Sequence, residues 1–270
     1  MSSGWQRGQK RTRDPEKPLD IRLQPAPPSE PPQILHWPRP SLIERQVEED
    51  ARSVLVHWGA KERGIMRSQP AWRLKKIEGF CRSHKLDLEQ ALSLRRHFMK
   101  EIHRSKTMQF MRLGSDDEIR GSSAAFELCI QEALDRQSIR YWDEDAQKET
   151  YRETRPMPPT PDFLLCEEIV LEGRGPIRWV EAKMFYGASV IAQDNRSAVG
   201  CLLQTARKYV RIFGPGVMVF AQGCGVDLAS LLEAEGVYVV DCSDRSTVEL
   251  THMRDHMRTW CGDSNGRLLP

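Results

Sequence analysis

Two apolar segments near the middle of the chain, residues 162–171 and 177–183, limit the folds that it can adopt. Each has the length and apolar content of a buried β-strand. Because side chains alternate between the two faces of a strand, Glu181 and Lys183 point to one face, while Val180 and Ala182 point to a core. If the segments pair as neighbouring strands, Asp162 at the start of the first lies beside Glu181 and Lys183.

Two carboxylates and a lysine in this arrangement predict a site for metal-assisted hydrolysis of a phosphodiester. Carboxylates bind Mg²⁺ or Mn²⁺, which neutralises charge on phosphate oxygens and lowers the pKa of a bound water. A lysine ammonium can orient the attacking water or hold a phosphate oxygen. We therefore predict catalytic roles for Asp162, Glu181 and Lys183, with Mg²⁺ or Mn²⁺ as the cofactor.

A purely structural interpretation of the same residues stays open. Asp162 follows Thr160 and Pro161, and this tripeptide favours a turn at the start of the strand. Glu181 and Lys183 also fit an ion pair on a solvated face of a sheet, which contributes only about 0–1 kcal/mol. Burial argues for the functional interpretation, because the apolar neighbours of Glu181 indicate a central strand, where an unpaired carboxylate is costly.

The surrounding sequence alternates between helical and extended patterns. Residues 143–159 are interpreted as a polar loop. Its acidic run, Asp143, Glu144 and Asp145, lies close to the site in sequence and fits either a part of that site or a solvated loop, which is the favoured interpretation. This order predicts an α/β fold with a mixed sheet flanked by helices, preceded by a small helical domain. The predicted helices are 123–136, 194–212 and 228–235, and the further strands are 138–142, 217–220 and 237–240.

Four regions follow from composition and patterning: a disordered proline-rich tail at 1–40, a basic helical domain at 41–115, the α/β domain at 120–245 and a C-terminal extension at 246–270. The helical domain has predicted helices at 41–58, 72–80 and 88–103, with Ser41 as the first N-cap. Its basic faces fit a helix-turn-helix-like unit that binds DNA, a bundle that supports the next domain, or a solubilising surface.

The spacing of the cysteines and the lack of long apolar runs predict the cellular compartment of the protein. The seven cysteines include no CxxC pair, which argues against a zinc ribbon and for reduced thiols. No apolar run approaches the roughly 20 residues that span a bilayer, and the first residues lack the apolar core of a signal peptide. Residues 10–13, Lys-Arg-Thr-Arg, fit part of a nuclear import signal or a charged tail. We expect a protein of the nucleus and cytoplasm without a membrane partner.

The element order and these motifs resemble the PD-(D/E)xK nuclease superfamily, and within it the TPD-motif family. The resemblance covers residues 122–241 well and residues 41–112 loosely. It implies a restriction-endonuclease-like core in which Asp162 and Glu181 bind the metal and Lys183 is the catalytic lysine. The residues that carry it are 160–163, 179–183 and 213–216, with 142–145 upstream.

The resemblance also implies further residues and partners. Glu127, on the first core helix, matches an acid that completes the metal site, although its spacing also fits a solvated helix face. Gln204 and Tyr209 are the matches for a glutamine and a tyrosine near the nucleic-acid backbone, but five-residue spacing does not place them on one face. The family also implies a codanin-like protein partner.

Four more side chains are candidates for nucleic-acid contact on their own chemistry. Tyr186 fits either base stacking or packing beside the site, and packing is favoured. Arg207 and Lys208, with Arg211, fit either phosphate contacts or an exposed helix face.

Three functions follow from these interpretations. The first is a divalent-metal-dependent nuclease acting on DNA or RNA. The second is a protein that keeps the nuclease fold but works as a scaffold through a codanin-like partner. The third is a DNA-binding regulator acting through residues 41–112, for which salt-sensitive duplex binding would be diagnostic.

Overall fold

A computed structural model gives the architecture of the chain. It describes residues 21–56, 70–86, 88, 90–91, 94–95, 98, 116–189, 198–242, 246–251 and 253. Among these residues, no helix has the length and apolar character needed to cross a membrane.

A curled, mixed six-stranded sheet lies at the centre of the molecule. The strand order is β1-β3-β4-β5-β6, and β2 also pairs with β3. β3 is antiparallel to β2 and β4, whereas β4, β5 and β6 are mutually parallel and β1 is parallel to β3. The strands are β1 (Ile34–Leu35), β2 (Tyr141–Asp143), β3 (Phe163–Leu171), β4 (Gly175–Lys183), β5 (Gly216–Phe220) and β6 (Val237–Asp241).

Helices cover both faces of the sheet, so the core has two layers, as expected for an α/β fold. Val180 and Ala182 pack with Phe126 on the face covered by α3, and Trp179 packs with Tyr209 on the face covered by α5 and α6. The helices are α1 (Arg45–Ala51), continued by a π-helical turn (Arg52–Val56), α2 (Pro70–His84), α3 (Asp116–Arg136), α4 (Glu144–Thr150), α5 (Ala198–Phe213) and α6 (Val226–Ala234).

Trp179 fixes the spacing between β4 and β5. Its indole lies so close to Gly216 that a Cβ at that position would overlap the ring. The indole Nε1 donates to the carbonyl of Gly214 at 2.9 Å, which satisfies the polar atom of a fully buried side chain. This contact joins the middle of β4 to the turn before β5.

The proline-rich segment before residue 40 differs from the predicted disordered tail. Ile34 and Leu35 pair with Val170 and Leu171, and Leu35 is fully buried. Trp37 is buried as well, and its Nε1 donates to the Asp241 carbonyl at 2.9 Å. The prediction is wrong here because extended, proline-rich backbone can also pair along the edge of a sheet. Residues 1–20 lie outside the described part.

The helical region does not pack as a separate unit. The first helix begins at Arg45 rather than after Ser41, with Glu44 as its N-cap. Ile43 pairs with Gly225 next to α6, and the cluster around α1 includes Tyr186. The described positions between 88 and 98 are helical, whereas residues 57–69 and 99–115 lie outside the described part, so the helix-turn-helix-like unit stays a prediction.

Two elements of the α/β domain also differ from those predicted. The first core helix starts at Asp116 rather than at residue 123. The loop predicted for 143–159 contains α4, because the Asp143 carboxylate accepts the Ala146 N–H at 2.7 Å and caps that helix. In the C-terminal extension, Val248, Leu250 and Met253 pack into the core, and residues 254–270 lie outside the described part.

Candidate functional site

The β3–β4 register brings the two motif acids together. Phe163 pairs with Val180, so Asp162 lies opposite Glu181 where β3 begins and β4 nears its end. The backbone N–H of Asp162 donates to Glu181 Oε2 at 3.1 Å, and the N–H of Ala182 donates to Asp162 Oδ2 at 2.7 Å. Each carboxylate therefore accepts a backbone hydrogen bond from the other strand, which fixes both side chains.

Lys183 completes the group on the same face as Glu181, as the strand alternation predicts. Its Nζ lies 2.6 Å from Glu181 Oε1. The two side chains are only 18% and 7% exposed, so the alternative of an ion pair on a solvated face is wrong. A buried pair of this kind is costly to desolvate, which makes it weak as a device for stability alone.

Two carboxyls at this site, those of Asp162 and Glu127, have raised pKa values. Burial raises the pKa of Asp162 to about 7, and the Glu181 charge adds to the effect, against the opposing influence of Lys183. Burial likewise raises the pKa of Glu127 to about 7, with further increases from the charges of Asp162 and Glu144. Glu127 therefore faces the same electrostatic environment from α3. Negative charge exceeds its local compensation, which is typical of sites that bind cations or transfer protons.

The turn that carries Asp162 is held by side chains from two helices. Tyr209 of α5 donates its hydroxyl to the Thr160 carbonyl at 2.9 Å. Gln147 of α4 donates to the Pro161 carbonyl at 2.8 Å, and Thr160 Oγ1 lies 3.3 Å from Glu144 Oε1. The threonine and proline of the motif thus place Asp162, and they do so through tertiary contacts.

Glu144 lies on α4 rather than in a loop, and its side chain is solvated as predicted, with 48% of its surface exposed. Its carboxylate pairs with Lys148 Nζ at 2.6 Å along α4. Its charge also raises the pKa values of Glu127 and Asp162. Recognising the N-cap at Asp143 would have predicted the short helix, and with it this acid.

Carboxylates are the oxygen donors that Mg²⁺ and Mn²⁺ prefer, so the donor chemistry here fits such an ion. Asp162 and Glu181 are in contact through their strands, and Glu127 senses the charge of Asp162. As the side chains lie, no three His, Cys, Asp or Glu residues in the described part form a ready set of metal ligands. Asp162 and Glu181, whose carboxylates lie on neighbouring strands, are the residues that could hold a cation here.

The predicted nucleic-acid contacts separate into buried and exposed residues. Tyr186 is 1% exposed, so base stacking on its ring is excluded in this conformation and the packing alternative is correct. Gln204 is exposed and Tyr209 is buried, so they do not share a face of α5. Arg207 and Lys208 are exposed on α5, and Arg207 pairs with Glu235 at 2.7 Å.

A buried carboxylate that the sequence analysis did not single out packs against the segment that follows Lys183. Glu48 of α1 is fully buried and accepts from the Tyr186 hydroxyl at 2.6 Å and from the Ser189 N–H at 3.0 Å. Burial raises the pKa of Glu48, although both hydrogen bonds oppose the shift. Ser189 Oγ in turn accepts the N–H groups of Asp227 and Leu228 in the first turn of α6. Glu48 thereby ties α1 to the segment that follows Lys183.

Comparison with known proteins gives one result. The sequence profile of a family described as a protein of unknown function with the TPD sequence motif matches residues 94–243. Searches of curated proteins and of solved structures found no match. The matched range contains Thr160, Pro161 and Asp162 together with Glu127, Glu181 and Lys183. Because the match covers more than half of the 270 residues, the chain belongs to the TPD sequence-motif family.

Proposed function

We propose that this protein is a divalent-metal-dependent hydrolase that cleaves phosphodiester bonds of nucleic acids. The observation that carries the proposal is the hydrogen-bonded group of Asp162, Glu181 and Lys183 at the junction of β3 and β4, with the raised pKa of Asp162. The α/β architecture and the Asp…Glu-x-Lys order support a PD-(D/E)xK core, the nuclease fold that the sequence resembles.

The residues divide the chemical work as follows. When bound, Mg²⁺ or Mn²⁺ would neutralise charge on the scissile phosphate and lower the pKa of a water, with Asp162, Glu181 and Glu127 as its ligands. Glu181 holds the Lys183 ammonium at 2.6 Å and so restricts where that charge lies. From this position Lys183 orients the attacking water or a phosphate oxygen. The hydrogen bond between Ala182 N–H and Asp162 Oδ2 keeps the Asp162 carboxylate in place during the reaction.

Nucleic acid is the proposed substrate because the flanking helix presents suitable groups. α5 contributes the Tyr209 hydroxyl to the motif turn and carries Gln204, Lys208 and Arg211 exposed. Cationic side chains on the exposed face of this helix suit a phosphate backbone, which supplies most of the affinity in non-specific binding.

The test is a cleavage screen over single-stranded, double-stranded and branched DNA and RNA with Mg²⁺ or Mn²⁺. We expect Asp162→Asn and Lys183→Met each to lower kcat at least roughly 100-fold, because each removes a group that acts in the transition state. Glu153→Gln, which changes an exposed carboxylate of the same domain, should keep wild-type activity. Circular dichroism checks that every variant is folded.

Two results would count against this function. Equal activity in wild type and Asp162→Asn would show that cleavage comes from elsewhere. A wild-type protein that cleaves none of these substrates with either metal, yet holds a stable partner such as a codanin-like protein, would favour the scaffold function.

A further inference from the structure

The side chain of Gln147 is fully buried between the end of β2 and the turn that carries Asp162. Its Nε2 donates two hydrogen bonds, to the Trp142 carbonyl at 2.9 Å and to the Pro161 carbonyl at 2.8 Å. Both N–H donors of the amide therefore bond to backbone carbonyls, one in β2 and one in the turn before Asp162.

The other half of this amide is unsatisfied. Gln147 Oε1 is buried and has no hydrogen-bond partner among the described residues. A buried acceptor without a partner destabilises a fold, and an apolar side chain of similar size would fill the same space without that penalty. The position therefore needs the two donors of the amide rather than its volume.

The bond to Pro161 acts on the peptide unit next to the site. The Pro161 carbonyl and the Asp162 N–H belong to one planar peptide group. Gln147 holds this group by its oxygen at 2.8 Å, and Glu181 Oε2 holds it by its nitrogen at 3.1 Å. Rotation of this peptide would release Glu181 and turn the Asp162 side chain away from it.

We propose that Gln147 is a positioning residue that orients the 161–162 peptide and thereby sets the relative placement of Asp162 and Glu181. The proposal rests on the proposed function, because it assumes that these two carboxylates share a divalent cation. Outer residues that orient metal ligands typically change metal affinity or activity about 10- to 100-fold when they are replaced.

The test compares Gln147→Met with Thr154→Val. Methionine keeps the length and volume of glutamine but has no donor. Thr154 is a matched control, because its Oγ1 is also buried and unpartnered among the described residues, and valine replaces it without a change of shape. Mn²⁺ affinity is measured by calorimetry on wild type, both variants and Asp162→Asn, together with melting temperature, kcat and KM.

We expect Gln147→Met to weaken Mn²⁺ binding about 10- to 100-fold and to lower kcat more than it raises KM. Thr154→Val should bind Mn²⁺ as wild type does. Wild-type Mn²⁺ affinity and kcat in a folded Gln147→Met protein would overturn the inference.

A second variant covers a failure of Gln147→Met to fold. Gln147→Asn keeps the amide but is one methylene too short to reach both carbonyls, so it should also weaken Mn²⁺ binding. If neither variant folds, Gln147 serves the stability of the fold alone and the inference is overturned. If wild type and Asp162→Asn both fail to bind Mn²⁺, the proposed function itself has failed, which is a separate outcome.

Discussion

Asp162→Asn should stabilise the metal-free protein at neutral and alkaline pH while removing its metal binding. The substitution removes the negative charge of Asp162, which lies beside Glu181. That charge also raises the pKa of Glu127. The asparagine carbonyl can still accept the Ala182 N–H, so the hydrogen bond that fixes the side chain is kept. Charge is thus the main property that changes.

The raised pKa of Asp162 sets the size of the effect. An increase from 3.8 to about 7 disfavours the ionised carboxyl in the folded protein by roughly 4 kcal/mol, at about 1.4 kcal/mol per pH unit. Neighbouring acids share protons with Asp162, so we expect about 2–4 kcal/mol in the free energy of unfolding. Between pH 4 and 7 the unfolded chain releases this proton while the folded chain retains it. Wild-type stability therefore falls as pH rises through that range.

Urea unfolding at pH 4 and pH 8 measures the difference. Asp162→Asn should be more stable than wild type at pH 8, and the two should converge at pH 4, where the wild-type carboxyl is protonated. Added Mn²⁺ should raise wild-type stability at pH 8 through binding to the folded state and leave the variant unchanged. Glu153→Gln serves as the control for loss of an exposed carboxylate. If Asp162→Asn were less stable than wild type in metal-free buffer at pH 8, the electrostatic reasoning would be refuted.

Three other substitutions test separate features. Tyr186→Phe removes the 2.6 Å donor of buried Glu48 and should cost about 1–3 kcal/mol of unfolding free energy in urea; an unchanged midpoint would contradict the assigned hydrogen bond. Gly216→Ala overlaps the Trp179 indole and should lower the melting temperature, with a loss of about 1–3 kcal/mol, whereas a neutral result would mean that the strands adjust freely. Lys208→Ala should weaken oligonucleotide binding and reduce its salt slope by about 1, and an unaltered slope would remove Lys208 from the interface.

The positions of the site residues on β4 could be predicted from the sequence, because the alternation of side chains along a strand depends only on neighbouring residues. Glu181 and Lys183 lie on one face of β4, and Val180 and Ala182 lie in the core, as their order in the sequence requires. The same pattern, with Asp162 at the start of the preceding run, was enough to predict that these acids meet.

The supporting residues depend on tertiary contacts that the local pattern does not contain. Gln147 lies in a polar, charged stretch, and only the carbonyls of Trp142 and Pro161 explain its burial. Glu48 lies in a charged stretch of the sequence, so the local pattern predicts an exposed side chain. In the structure it is buried, with hydrogen bonds from Tyr186 and Ser189. The proline-rich composition before residue 40 predicted disorder. That prediction failed because β1 is formed by pairing with β3, which local composition does not encode.

The contacts of Glu48 and Leu35 link the range shared with the family to residues that precede it in the chain. The family match begins at residue 94, whereas Glu48 and Leu35 come earlier in the chain. A fragment that starts at residue 94 would lack the Glu48 carboxylate that accepts from the Tyr186 hydroxyl and the Leu35 side chain that packs in the core. Deleting the N-terminal third would therefore disturb the segment after Lys183 even though no proposed catalytic group is removed.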